Sequence, residues 1–114
     1  MTGLELLVLH VERFNAGVRS GDFASMLELF TDDAELGFVG VPVGPFHGRD
    51  AIAAAYRERP PDDGVEVLEA RESGAEVHAR YAWLRDEGRA SGDLVLTRAG
   101  DRIARLLVTF DPAA

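Results

Sequence analysis

The sequence predicts an α+β fold in which three N-terminal helices pack on one face of a curved, mostly antiparallel sheet. Two observations carry this. Apolar residues recur at helical spacing up to Arg59 and alternate with polar ones beyond Gly64. Clusters of Gly, Pro and Asp then cut both halves into short elements.

Residues 4–19 place Leu7, Val11, Phe14 and Val18 at helical spacing, with Glu5, Glu12, Arg13 and Arg19 on the other faces, as in an amphipathic helix. Gly17 weakens it near its end, and Ser20-Gly21 stops it. Asp22 is a good N-cap for a second short helix over 23–30, with Phe23, Met26, Leu27 and Phe30 as its apolar stripe. Thr31-Asp32-Asp33 ends that helix, and a strand is expected over 34–39. Segment 40–48 holds three Gly and two Pro and reads as a loop. Asp50 is suited to cap a third helix over 51–59, ended by Pro60-Pro61.

After the Asp62-Asp63-Gly64 turn, a strand begins over 65–70 and turns at Ser73-Gly74. In the next strand Val77, Ala79, Tyr81 and Trp83 alternate with His78, Arg80, Ala82 and Leu84. Asp86-Glu87-Gly88 turns the chain into a strand over 89–98, and Ala99-Gly100-Asp101 turns it into a last strand over 103–110.

The 114 residues suffice for one core, so a single domain over 1–114 is expected. No apolar run approaches the ~20 residues of a membrane span. Leu4 to Leu9 is too short, and too interrupted by Glu5, for a signal peptide, so a cytoplasmic protein without a membrane partner is expected. The absence of Cys excludes disulfides, thiolate chemistry and Cys-based zinc sites. A net charge of −8 argues against nucleic acid as a partner. All 12 basic residues are Arg, which excludes a lysine Schiff base and otherwise reflects a GC-rich genome. The three His lack metal-ligand spacing and no glycine-rich phosphate loop follows a strand, so neither metal nor cofactor is expected.

Gly21-Asp22, Phe30-Thr31-Asp32-Asp33-Ala34, His47-Gly48-Arg49-Asp50 with Ile52 and Tyr56, and Gly100-Asp101-Arg102-Ile103 occur in an order that resembles the nuclear transport factor 2-like superfamily. The closer resemblance is to its SnoaL-like and ketosteroid-isomerase-like bacterial branch. It covers nearly the whole chain and implies a cone-shaped domain with a pocket inside. Such a fold hosts isomerases, dehydratases, cyclases, epoxide hydrolases and non-catalytic proteins, so it does not fix an activity. In ketosteroid isomerases a helix tyrosine and a protonated strand aspartic acid form an oxyanion hole, and a second aspartate is the base. The resemblance places Phe14 at that tyrosine, Phe38 at the base and Asp93 at the strand acid. Phe30 falls at a supporting tyrosine of the second helix, and Tyr56 matches one on the third. Two of the three catalytic groups are thus missing, and ketosteroid isomerase activity is not expected.

The implied site is an apolar cone lined by Phe14, Val18, Phe30, Phe38, Leu106, Val108 and Phe110, with Asp93 and Tyr56 as the candidate acid–base residues. Leu106, Val108 and Phe110 share one face by period-two alternation. Asp93 is either a pocket acid, whose burial favours the protonated form, or an exposed carboxylate near a hairpin end. His78 with Arg80 is either an anion or base site or a solvated, dimer-facing stripe. His10 is expected on the helix surface, and His47 to hold its loop. The expected function is binding of a small apolar or aromatic molecule, with or without isomerase-, cyclase- or dehydratase-like chemistry. The alternative is a non-catalytic dimerisation or ligand-binding module with a filled cavity. A homodimer formed through the sheet is expected, with Arg80, Leu84 and Arg105 available on the convex face.

Overall fold

Helix α1 spans Gly3–Ser20. Thr2 and Glu5 close a reciprocal capping box at its start, and Gly21, at φ 81°, caps its end by donating to the Gly17 carbonyl. The computed structural model describes residues 1–111. Helix α2 (Ala24–Leu27) is followed by strand β1 (Phe30–Val39), strand β2 (Phe46–His47) and helix α3 (Arg49–Glu58). Strands β3 (Val65–Ser73), β4 (Glu76–Trp83), β5 (Gly92–Ala99) and β6 (Arg102–Phe110) complete a six-stranded sheet in the order β2-β1-β6-β5-β4-β3. Four of its five pairings are antiparallel; β1 and β6 run parallel, which makes the sheet mixed. Among the described residues no helix is long and apolar enough to cross a membrane.

Several boundaries differ from the sequence reading, and β2 forms inside the segment 40–48 expected as a loop. The second helix is one turn, and Phe30 leaves it to open β1 opposite Ile103. The spacing of Phe23, Met26 and Phe30 is helical, and the ladder overrides it: Ile103 donates to the Leu29 carbonyl at 2.7 Å. Gly48, at φ 91°, occupies the N-cap of α3, while Asp50 lies in its first turn, where a carboxylate suits the helix dipole. β5 begins at Gly92 because Leu84–Asp86 coil into a 3₁₀ turn. Ser91 pins that turn, donating to Asp86 at 2.8 Å and accepting from the Trp83 amide at 3.1 Å.

Helices α1 and α3 lie against the concave face of the sheet. Leu6 and Leu7 of α1, Ile52 of α3, and Leu36, Val77, Leu96, Ile103 and Leu106 of the strands are fully or almost fully buried there. Gly17 belongs to this packing: it lets the Phe23 ring lie directly on the α1 backbone. Asn15 clamps α1 to the sheet by donating to the Val65 carbonyl and accepting from the Val65 amide, both at 2.9 Å. Arg49 ties α3 to β1 through the Phe30 carbonyl, at 3.2 Å, and the Asp32 carboxylate.

Candidate functional site

Between the splayed ends of α1 and α3 and the sheet lies a chamber of about 230 Å³. Val11 and Phe14 line it from α1, Tyr56 from α3 with Arg59 just beyond, and Phe38 from β1. Leu94 of β5 and Leu106, Val108 and Phe110 of β6 form its floor. Period-two alternation explains that floor: odd and even positions of a strand face opposite sides of a sheet.

Aromatic rings build the wall. Phe38 stacks on Phe110 at 6.1 Å between ring centres, and Phe110 stacks on Trp83 at 6.4 Å. Trp83 meets Tyr81 edge to face at 5.8 Å. Across the chamber Tyr56 stacks on Phe23 at 4.9 Å and meets Phe14 edge to face at 6.5 Å. A second cleft of about 290 Å³, between segment 42–46 and α3, shares Phe38, Tyr56 and Arg59 with the chamber.

Three polar side chains sit in this apolar lining. His10 is 4% exposed and its Nδ1 has no hydrogen-bond partner among the described residues. Its ring packs edge to face on Phe30 at 5.7 Å. Burial lowers its pKa to about 4, so the ring is neutral at pH 7. The Tyr81 hydroxyl is likewise buried and unpartnered. Burial, reinforced by the nearby Asp111 and Asp93 charges, raises its pKa to about 12. Burial also pushes the Tyr56 hydroxyl well above the usual range. The chamber wall therefore contains a neutral imidazole and two phenols that stay protonated, with His10 Nδ1 and Tyr81 Oη buried behind its surface. Two buried polar atoms without partners cost about 1–3 kcal/mol each unless water or a ligand satisfies them.

The structure brings Phe14, Phe38, Tyr56, Leu106, Val108 and Phe110 together around the chamber. It does not bring Asp93 there. Leu94 and Leu96 face the core, so Asp93 projects to the opposite, convex face, where it is 48% exposed. Arg80, directly across the ladder, donates to both Asp93 oxygens at 3.0 Å and to Asp111 at 2.9 Å. The expected pocket acid is instead one half of an ion pair outside the cone. Phe30 is fully buried beneath His10 and does not reach the chamber, and Val18 packs on the core beyond the lining. His78 also lies on the convex face, paired with Glu76 at 3.0 Å. His10, expected on the surface, is the correction with most consequence. Its signal was the run Gly3, Leu6, Leu7, His10 and Gly17, all buried on one side of α1. Tyr81 and Trp83, on one face of β4, are further lining residues outside the expected set, as are Val11, Arg59, Pro61, Val65 and Leu94. Among the described residues, no group of three or more His, Asp or Glu is placed to hold a metal ion.

Residues 11–106 match the family model of the SnoaL-like domain. The chain is similar in fold to a nuclear transport factor 2-like protein of unknown function from Cytophaga hutchinsonii, at TM-score 0.76 and 17% identity over 99% of this chain and 93% of that one. A protein from Sphaerobacter thermophilus superposes at TM-score 0.75 and 23% identity over 97% of each chain. A Catenulispora acidiphila protein with a ketosteroid isomerase-like fold, solved in complex with trimethylamine, superposes at TM-score 0.67 and 14% identity, covering 90% of this chain and 85% of that one. No curated protein matches significantly.

Proposed function

The chain belongs to the SnoaL-like family, and on that premise we propose that it binds a small, largely apolar or aromatic molecule in the chamber between α1, α3 and the sheet. One observation carries this reading: an aromatic chamber holds two buried, unpartnered polar atoms, His10 Nδ1 and Tyr81 Oη. Apolar walls with a few positioned polar groups are the usual form of a small-molecule site. The Tyr81 hydroxyl offers a hydrogen bond to a carbonyl or hydroxyl oxygen of the ligand. The neutral His10 ring supplies a donor on one nitrogen and an acceptor on the other.

Acid–base chemistry in the same chamber is the second reading, and it rests on His10 and Tyr81 rather than Asp93. It is the weaker of the two for a physical reason. General bases work best with a pKa near the operating pH, and a ring held at about 4 is a poor proton acceptor at pH 7. The homodimer remains a proposal, supported by the long convex face carrying Arg80 and Arg105; Leu84, expected there, lies instead in the 3₁₀ turn beside Gly64.

The test uses Trp83, the chain's only tryptophan, which lines the chamber. Titration with 3-phenylpropan-1-ol, a neutral aromatic alcohol, is expected to change Trp83 emission saturably. Val108→Phe, which fills the floor, is expected to abolish that change while leaving the circular dichroism spectrum intact. Absence of saturable binding to the wild type rejects the reading.

A further inference from the structure

The pocket reading leaves the charge of the ligand open, and the chamber lining bears on it. Among the described residues, Arg59 is the only lining side chain that carries a full charge at neutral pH, given that His10 is neutral, and no carboxylate lines the chamber. This departs from the surface as a whole, where 20 acidic residues outnumber 12 basic ones. Arg59 caps the C-terminal end of α3 and stands exposed where the chamber meets the neighbouring cleft. Arg13, Arg49, Arg80, Arg85 and Arg98 are each held by a carboxylate; of the other seven arginines, which make no ion pair among the described residues, Arg59 is the one that lines the chamber. Arg59 makes no ion pair among the described residues, and Glu58, which faces the neighbouring cleft, does not engage it.

We infer that the ligand is an amphipathic monocarboxylate, its apolar body in the aromatic chamber and its carboxylate at the mouth beside Arg59. The inference rests on the pocket reading. A guanidinium offers the planar fork that matches a carboxylate. At an exposed mouth the anion keeps much of its hydration, so the pair contributes modestly, about fivefold in affinity. Selectivity comes as much from what the lining lacks: a neutral analogue loses the pair, and a cationic one meets Arg59.

The experiment compares 3-phenylpropanoate with 3-phenylpropanamide, which has the same shape and no charge, by calorimetry and Trp83 emission. The wild type is expected to bind the acid about fivefold more tightly than the amide. Arg59→Gln is expected to erase that preference without changing the affinity for the amide, and Arg59→Lys to keep part of it. Equal affinities in the wild type, or a preference that survives in Arg59→Gln, overturn the inference and leave the pocket reading standing. The second outcome would assign Arg59 to the dipole of α3 alone, where a cation is favourable without any ligand. Failure of both compounds to bind the wild type rejects the pocket reading and the inference with it.

Discussion

Acidification strikes this fold at His10. The ring is buried among Phe14, Phe30 and the chamber wall, and desolvation lowers its pKa from 6.5 to about 4. The unfolded chain, whose histidine titrates normally, binds more protons than the folded one between those values. Stability therefore rises with pH across the window: it is fully present above about 6.5 and is lost as pH falls towards 4. At about 1.4 kcal/mol per pH unit, the displacement corresponds to roughly 3 kcal/mol, a large part of the 5–15 kcal/mol typical of a domain. Carboxylates titrate in the same range, so the measurement is a difference. Urea unfolding of wild type and His10→Gln is followed at intervals from pH 7 to pH 4. The wild type is expected to lose about 3 kcal/mol more than the variant, even if the variant starts lower at pH 7. Parallel stability curves would refute the reasoning, because they would mean that the ring gains a proton in the fold as readily as in the open chain.

Tyr81→Phe removes the buried hydroxyl and keeps the ring; it is expected to stabilise the ligand-free protein by about 1 kcal/mol, and a lower melting temperature would show the hydroxyl to be satisfied. Gly17→Ala should destabilise by about 1–2 kcal/mol in thermal unfolding despite alanine's better helix propensity, because the added methyl meets Phe23 Cγ at 2.9 Å; an increase in stability would show that Phe23 yields freely. Turnover of a 5-ene-3-ketosteroid is expected at background level, since Phe14 and Phe38 line the chamber without a proton to give or take; efficient conversion would reject this. Light scattering at micromolar concentration is expected to report a dimer, and a monomer would end that proposal.

The strands were legible because alternation is a direct image of a two-faced sheet. Val77, Ala79 and Tyr81 face inward, and Leu106, Val108 and Phe110 were placed on one face by the same parity. Asp93 went astray for want of that argument. Leu94-Val95-Leu96 is apolar at every position, so parity is ambiguous within the strand itself. Only the pairing of β4 with β5, which sets Arg80 opposite Asp93, decides it, and register is a tertiary fact. His10 was misjudged for a different reason. The stripe Leu7, Val11, Phe14 and Val18 describes one flank of α1, while the most buried flank runs through Leu6 and His10. A helix wedged between a sheet and a second helix buries more of its circumference than one stripe suggests. The short α2 escaped because the pull of the β1–β6 ladder on Phe30 comes from residues more than seventy positions away.

That ladder also orders events in time. β6 is the last strand in chain order, yet it lies in the interior of the sheet, between β1 and β5. Until it arrives, β1 has only the two-residue β2 beside it, and the β3–β4–β5 meander has no connection to it. The chamber lacks most of its floor at that stage, since Leu106, Val108 and Phe110 all come from β6 and only Leu94 comes from β5. A nascent chain therefore carries two incomplete sheet fragments with bare edges, open to pairing with other chains. The insertion of β6 joins the two fragments and completes the chamber in one step. Any fragment ending before residue 102 would lack the β6 side of the chamber and the continuity of the sheet together.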